Sequence, residues 1–209
     1  MRILVADDHA VVRNGLKQIV SDVPDMVIAA EASNGQDALH KALEGDYDVV
    51  LLDITMPDRS GLDILKEIKS QKPGLPVLIL SMHPEEQYAV RALKAGAAGY
   101  LTKESAPEEL IKAMRMVSGG GKYVTSSLAE KLASVLETSA EKPLHQALSD
   151  REYQILCMIA SGKRAKQIAN ELFLSTKTIS TYRSRILQKM NMNNNMELTR
   201  YAMQNQLVS

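Results

Sequence analysis

Short apolar runs alternate with helical patterns through the first 118 residues of the chain. The runs are residues 3–6, 27–30, 49–52, 77–80 and 99–101. After each run, apolar residues recur three or four positions apart, as on one face of an amphipathic helix. Strands that are apolar throughout are typical of a parallel sheet that is covered on both faces. The pattern therefore predicts an α/β fold, a doubly wound, flavodoxin-like parallel sheet of five strands.

The last 63 residues carry helical patterns only. Ser149 and Glu152 stand three positions apart at the start of one pattern, which is typical of a capping box. Two short helical patterns further on are joined by the tight segment 173–175, and this arrangement favours a helix-turn-helix. The second part of the chain is therefore predicted to be a small all-α domain.

The chain divides into three predicted segments. These are a first domain over residues 1–118, a linker over residues 119–146 and a helix-turn-helix domain over residues 147–209. The linker is predicted to contain one short helix with Leu128, Leu132, Val135 and Leu136 on its apolar face.

The formal net charge is zero, but the two predicted domains differ in sign. Residues 1–118 contain 13 basic and 18 acidic side chains, whereas residues 147–209 contain 9 basic and 4 acidic ones. A basic helical domain is a candidate for binding a polyanion such as nucleic acid.

Several classes of protein are not favoured by this sequence. No apolar run approaches the roughly 18 residues of a membrane span, and the N-terminus lacks the long apolar core of a signal peptide. The single cysteine, Cys157, forms no internal disulfide, which fits a reducing cytoplasm. The glycines at 119–121 precede Lys122 but lack the spacing of a phosphate-binding loop, so a helix stop is the better interpretation.

Three aspartates follow predicted strands. Asp7 and Asp8 come after the first strand, and Asp53 comes after the third. Because the carboxyl ends of central parallel strands meet at one edge of such a sheet, these carboxylates would lie together and favour a hard cation such as Mg²⁺. The alternative is that the aspartates only cap helices and turns. The four histidines, His9, His40, His83 and His145, have no partner at the spacing of a transition-metal site.

The other two strand ends add a hydroxyl and an ammonium. Ser81 ends the fourth strand and Lys103 follows the fifth. Both groups can contact phosphoryl oxygens, and a metal-shielded carboxylate can act as a nucleophile. The sequence therefore predicts an aspartyl-phosphate site.

The motifs around these residues resemble those of response regulators. They are Asp7-Asp8-His9, Leu52-Asp53-Ile54-Thr55-Met56-Pro57, Leu80-Ser81, Gly99-Tyr100-Leu101-Thr102-Lys103 and the block from Leu148 to Met190. Residues 1–118 are similar to a receiver domain, and residues 147–209 are similar to the LuxR-type helix-turn-helix. The whole chain resembles the NarL/FixJ class.

The resemblance implies roles for the residues of the acidic site. Asp53 is the implied phosphoacceptor. Asp8, Asp53 and the backbone carbonyl of Thr55 are the implied Mg²⁺ ligands, with Asp7 acting through water. Ser81 is the implied switch hydroxyl, Lys103 pairs with it, and Tyr100 turns inward as Ser81 moves.

A polar, non-acidic face is predicted on the third helix of the second domain. It contains Lys177, Ser180, Thr181, Ser184 and Gln188, flanked by Arg183, Arg185 and Lys189. Short hydroxyl side chains with cations beside them suit base edges and phosphates, although a merely solvated face gives the same pattern. By resemblance, Ser180, Thr181 and Ser184 face bases, and Lys177, Thr178, Tyr182, Arg183 and Lys189 are candidates for backbone contacts. Modest sequence discrimination is expected.

One such helix covers only a half-site, so binding is expected to be dimeric. By resemblance, the dimer interface lies on the last helix, with Met196, Thr199, Ala202 and Met203.

The sequence as a whole predicts a cytoplasmic, DNA-binding transcription regulator. A sensor histidine kinase would phosphorylate Asp53 and thereby control homodimerisation and binding to double-stranded DNA. Apart from self-hydrolysis of the phosphate, no enzymatic output domain is expected. Two rival hypotheses remain: a helical domain that acts as a protein-interaction adaptor, and a DNA binder that no longer responds to phosphate.

Overall fold

Five parallel strands form one sheet in the N-terminal part of the computed structural model, which describes residues 1–137 and 143–208. The strands are β1 (Arg2–Ala6), β2 (Val27–Ala32), β3 (Val49–Leu52), β4 (Val77–Ser81) and β5 (Gly99–Thr102). Their order is β2-β1-β3-β4-β5, and every neighbouring pair is parallel. The predicted doubly wound sheet is therefore confirmed.

Helices connect successive strands and cover the sheet. They are α1 (Ala10–Ser21), α2 (Gly35–Glu44), α3 (Gly61–Gln71), α4 (Glu85–Lys94) and α5 (Pro107–Ser118). Leu16 of α1 and Met114 of α5 pack in one core cluster with alternate strand residues such as Leu51. The intervening residues, Val50 and Leu52, are equally buried. Both faces of the sheet are therefore covered at its centre, which explains why β3 and the residues of β4 before Ser81 are entirely apolar.

The strand order reverses its direction between β1 and β3, which lie side by side at the centre of the sheet. The sheet hydrogen bonding extends one residue past the ends of β1 and β3. The Asp7 N–H donates to Ala32 O at 3.0 Å, and the Asp53 N–H donates to Ala6 O at 2.9 Å. A crevice at the carboxyl ends of the strands is expected at this reversal. Asp7 and Asp53 flank it.

After α5 the chain returns to the edge of the sheet. Tyr123 forms an isolated parallel bridge with Gly99, and its N–H donates to Ala98 O at 2.8 Å. The Lys122 ammonium donates to Ala97 O at 2.6 Å. A Cβ on Gly99 would lie 2.7 Å from the Tyr123 carbonyl oxygen, so this approach requires glycine. We call residues 122–125 the strap.

Side chains fasten the strap to two helices. The Tyr123 hydroxyl donates to Glu109 of α5 at 2.6 Å, and the Thr125 hydroxyl contacts Glu85 of α4 at 2.7 and 2.8 Å. The first compact unit consequently extends to Ala129, beyond the predicted boundary at residue 118. Helix α6 (Ser126–Glu137) follows the strap. Residues 138–142 of the predicted linker, and the side chains of Val135 and Leu136, lie outside the described residues.

Replacing Tyr123 by Phe is expected to lower the free energy of unfolding of the first unit by about 1–2 kcal/mol, because the hydrogen bond to a carboxylate is lost. Burial of the Tyr123 hydroxyl, together with Glu109, raises the pKa of Tyr123 to about 12. Urea denaturation followed by circular dichroism measures the change. Tyr47→Phe is the matched control, since no hydrogen bond of its hydroxyl is found among the described residues, and a change there within about 0.5 kcal/mol is expected. Equal losses in both variants would contradict the role of the strap.

The second compact unit, residues 130–209, is helical throughout its described part, as predicted. Beyond α6 it contains a short 3₁₀ helix (Leu144–Ala147), α7 (Asp150–Ala160), α8 (Ala165–Glu171), α9 (Thr176–Met190) and α10 (Asn195–Gln204). The predicted capping box at the start of α7 is present, with Glu152 N–H donating to Ser149 Oγ and Ser149 N–H donating to Glu152. Helices α8 and α9 are joined by a tight turn through Phe173, which has a φ of 53°.

None of the helices within residues 1–137 and 143–208 has the length and apolar character needed to cross a bilayer.

Candidate functional site

One buried ammonium bridges two buried carboxylates at the crevice. Lys103 Nζ lies 2.6 Å from an oxygen of Asp7 and 2.7 Å from an oxygen of Asp53. Asp7 and Asp53 are only 2% and 3% exposed. The ends of β1, β3 and β5 thus bring three of the predicted residues into direct contact.

The environment of Asp53 disfavours its charged form. Burial raises the pKa of Asp53 to about 6, while the Lys103 charge acts in the opposite direction and the Asp7 carboxylate adds to the rise. Burial also opposes the charge on Lys103, but the two carboxylates outweigh it and raise the pKa of that ammonium. Asp53 is therefore mostly ionised near neutral pH and loses that charge in mild acid.

Asp8 completes a cluster that fits a hard cation. One ligand atom from each of Asp7, Asp8, His9 and Asp53 lies within 4.8 Å of the others. Asp8 Oδ1 is buried and accepts no hydrogen bond from the described residues, although His9 Nδ1 is 2.8 Å away. A carboxylate oxygen without a donor, beside two further carboxylates, is the kind of ligand that Mg²⁺ takes. The residues present therefore fit the predicted metal.

The Mg²⁺ affinity is expected to fall in mild acid, because a proton competes with the cation for Asp53. With a pKa of about 6, the apparent affinity at about pH 5 should be roughly tenfold lower than at about pH 8. Isothermal titration calorimetry measures this, since the chain has no tryptophan to report binding by fluorescence. In Asp53→Asn the step near pH 6 should disappear. Equal affinity of the unchanged protein at both pH values would contradict the raised pKa.

The predicted switch residues lie in one hydrogen-bonded network. Ser81 is fully buried, and its hydroxyl oxygen accepts the His83 N–H at 3.2 Å. The Tyr100 hydroxyl donates to the His83 carbonyl oxygen at 2.8 Å, so Tyr100 is already inward in this structure. His83 Nε2 also lies 3.2 Å from Thr55 Oγ1. The coupled movement of Ser81 and Tyr100 stays a prediction.

Two residues of this site were not predicted from the sequence. His83, which looked isolated, links the loop after Ser81 to Thr55 and Tyr100; its position two residues past Ser81 was the available signal. Arg13 of α1 donates to the Asp7 carbonyl oxygen at 2.7 Å, and no motif points to it.

The polar face of α9 is exposed at the residues proposed to face bases, and their contact with DNA stays a prediction. The hydroxyls of Ser180, Thr181 and Ser184 donate to the carbonyls of Thr176, Lys177 and Ser180, at 3.0, 3.1 and 3.1 Å. Each hydroxyl proton is thus used within the helix, and the hydroxyl oxygen can still accept a hydrogen bond. A groove of about 320 Å³ lies beside them, lined by Ser175, Lys177, Thr178, Thr181, Tyr182 and Arg185.

Two of the predicted cations of α9 have partners inside the second unit. Lys189 Nζ lies 2.6 Å from Glu152 Oε2, a carboxylate that is almost fully buried at the start of α7. Burial alone would raise the pKa of Glu152, but Lys189 and the Ser149 N–H lower it. Arg183 Nε donates to Asn195 Oδ1 at 2.6 Å. Lys189 therefore ties α9 to α7, and Arg183 ties α9 to α10.

The predicted dimer residues of α10 do not share one surface. Met196 and Met203 are 81% and 58% exposed, and Thr199 is partly buried. Ala202, however, is fully buried on the same face as Leu198, one helical turn earlier. The assignment of Ala202 to an interface is wrong for this reason, since a fully buried side chain cannot contact a partner.

A cluster of carboxylates beside a buried lysine, at the carboxyl ends of a parallel sheet, and a helix-turn-helix with an exposed second helix occur in one chain. This combination defines the class of two-component response regulators that bind DNA. The chain belongs to this family. Residues 3–115 match the response regulator receiver domain, and residues 146–202 match the bacterial regulatory proteins of the luxR family.

Curated relatives match along nearly the whole chain. The response regulator UvrY of Escherichia coli (strain K12) is 36% identical over 208 residues, which cover 99% of this chain and 95% of UvrY. The oxygen regulatory protein NreC of Staphylococcus epidermidis is 39% identical over 216 residues, which cover 100% of this chain and 99% of NreC. The predicted class is confirmed.

A solved structure of this class shares the fold. RcsB from Salmonella enterica serovar Typhimurium, bound to promoter rprA in the presence of the phosphomimetic BeF3−, has a TM-score of 0.65 and 25% sequence identity. The match covers 96% of this chain and 97% of that chain. Receiver domains bind Mg²⁺ through an acidic cluster, and this chain has such a cluster in Asp7, Asp8 and Asp53.

Proposed function

We propose that Asp53 is the phosphoacceptor of this response regulator. A carboxylate oxygen of Asp53 forms the bond to phosphorus while the bond to the histidine nitrogen of the sensor kinase breaks. The observation that carries the proposal is the Lys103 ammonium, held between Asp53 and Asp7 at 2.7 and 2.6 Å. Lys103 is placed to pair with a phosphoryl oxygen, and the buried Ser81 hydroxyl is the group recruited to another.

Asp8, Asp53 and the backbone carbonyl of Thr55 are the proposed Mg²⁺ ligands, with Asp7 acting through water. Bound there, Mg²⁺ supplies positive charge that reduces repulsion between Asp53 and the incoming phosphoryl group. The chain's own residues prepare the site: Lys103 keeps Asp53 in place, and the Thr55 N–H donates to Asp53 Oδ1 at 3.2 Å.

The second domain is proposed to bind repeated half-sites of double-stranded DNA as a homodimer that forms on phosphorylation. Ser180, Thr181 and Ser184 face base edges. The backbone contacts fall to Lys177, Thr178, Tyr182 and Arg183, whereas Lys189 is a weaker candidate because Glu152 already pairs with its charge. Met196, Thr199 and Met203 of α10 are the proposed dimer residues, without Ala202. The regulator is proposed to act in the cytoplasm and to lack an enzymatic output.

Selection from random duplex DNA tests this function with the full chain. It is run with Mg²⁺ alone and with Mg²⁺ plus beryllium fluoride, which mimics the phosphoryl group. A repeated half-site that is enriched only with the mimic is the expected result. Equal enrichment in both conditions would contradict the control of DNA binding by phosphorylation. Without enrichment in either condition, the helical domain would be an adaptor for a partner protein.

A further inference from the structure

The guanidinium of Arg183 is hydrogen-bonded through Nε, whereas its two Nη groups are available to another partner. Its Nε donates to Asn195 Oδ1 at 2.6 Å, which joins the middle of α9 to the first residue of α10. Within residues 143–208, no hydrogen bond or ion pair of its two Nη groups is found, and no carboxylate lies within ion-pair distance. A guanidinium bound through Nε retains its Nη edge, which can contact two oxygens of one phosphate.

Asn195 is itself fixed by the corner between α9 and α10. Asn191 ends α9 in the left-handed conformation with a φ of 52°. The Glu197 carboxylate accepts the Asn193 N–H at 2.8 Å and the Asn194 side-chain amide at 3.0 Å. Asn194 in turn caps α10 by accepting the Glu197 N–H at 3.0 Å. The acceptor that holds Arg183 therefore does not depend on a loose loop.

The acceptor is neutral, and this decides what Arg183 can do. A carboxylate at residue 195 would orient the guanidinium but would also compensate its charge, as Glu152 does for Lys189 at 2.6 Å. An amide oxygen orients the guanidinium and leaves the full positive charge for a partner outside the domain. Contact with a DNA phosphate gains from such an uncompensated charge, because each neutralised phosphate releases condensed counterions.

We propose that Asn195 is a positioning residue for DNA binding, which holds Arg183 through Nε so that its Nη edge meets a backbone phosphate. The inference rests on the proposed function, in which α9 enters the DNA. Asn195 contributes no charge and reads no base. It restricts the Arg183 side chain before DNA binds, so that less conformational entropy of this side chain is lost on binding.

Alanine and lysine variants of the full chain test the inference, with DNA affinity measured over a range of salt in the presence of Mg²⁺ and beryllium fluoride. Arg183→Ala should weaken binding about tenfold or more and lower the salt slope by about 1. Asn195→Ala should weaken binding roughly three- to fivefold without changing the slope, because the charge remains. Gln204→Ala, which removes an exposed amide from the other end of α10, is the matched control and should change neither.

Arg183→Lys separates positioning from any direct contact of Asn195. A lysine retains the charge but has no Nε–H group to donate, so adding Asn195→Ala to Arg183→Lys should have no further effect. Asn195→Asp should lower both the affinity and the salt slope towards those of Arg183→Ala. Because Asn194 and not Asn195 caps α10, Asn195→Ala should keep the melting temperature of the protein.

The contrary results distinguish an error in the inference about Asn195 from an error in the proposed function. If Asn195→Ala weakens binding as much in the Arg183→Lys variant as in the unchanged protein, Asn195 acts independently and the inference is overturned. If Asn195→Ala binds DNA as well as the unchanged protein while Arg183→Ala does not, the inference is overturned but the proposed function stands. If Arg183→Ala itself binds normally, the proposed role of Arg183 as a phosphate contact is wrong.

Discussion

Asp53→Asn is expected to abolish the response of DNA binding to beryllium fluoride. The unchanged protein should bind its operator roughly 5–150-fold more tightly with the mimic, the usual range for coupling between two sites. Asn has no carboxylate oxygen with which to hold the phosphoryl group, so Lys103 and Ser81 receive no new anion. Fluorescence anisotropy with labelled operator DNA measures the affinity with and without the mimic.

Asp46→Asn is the matched control for this experiment. Asp46 is an exposed aspartate that precedes β3, at the opposite end of the strand from Asp53. The same change of one carboxylate to an amide should leave the response intact there. A response that survives in Asp53→Asn would place the phosphoryl group on another residue and would overturn the proposed phosphoacceptor.

Lys103→Met is expected to destabilise the first unit strongly, by about 3–5 kcal/mol near pH 7. The variant keeps the length of the side chain but removes the ammonium that lies 2.6 Å from Asp7 and 2.7 Å from Asp53. Two buried carboxylates then face each other without a counterion. Urea denaturation followed by circular dichroism measures the loss, and Lys112→Met, on the exposed face of α5, should change stability by less than about 0.5 kcal/mol.

The pH dependence of the stability of Lys103→Met shows whether unpaired charge causes the loss. Asp53 already has a pKa raised to about 6, and removal of Lys103 should raise it further. A carboxyl group whose pKa is raised by folding favours the folded state at low pH and loses this contribution as pH rises through the folded pKa. The deficit of Lys103→Met should therefore shrink in mild acid and with added Mg²⁺. A deficit independent of both would indicate lost packing instead of unpaired charge.

The sheet and the acidic site could be predicted because their signals are local. Each strand carries an uninterrupted apolar run, and Asp7 and Asp53 stand directly after β1 and β3, so topology alone brings them together. The strap could not be predicted in this way. Its pairing joins Gly99 to Tyr123 across 24 positions of the sequence, and a single bridge leaves no periodic pattern.

The hydrogen-bond and ion-pair partners of the polar side chains could not be predicted from the sequence either. The face of α9 was predicted from spacing, but spacing does not reveal that Lys189 pairs with Glu152 or that Arg183 donates to Asn195. These contacts depend on how the helices cross. The error at Ala202 has a related cause, because alanine and methionine suit a core and an interface equally well, and only the packing of α10 separates them.

The strap has a consequence for the behaviour of the protein in concentrated solution. Strand β5 is an edge of the sheet, and an open edge is a template for pairing with other chains. Tyr123 occupies part of that edge through its bridge to Gly99 and its bond to Ala98. Fragments of the receiver that end before the strap would expose this edge. We expect such fragments to aggregate by pairing through β5.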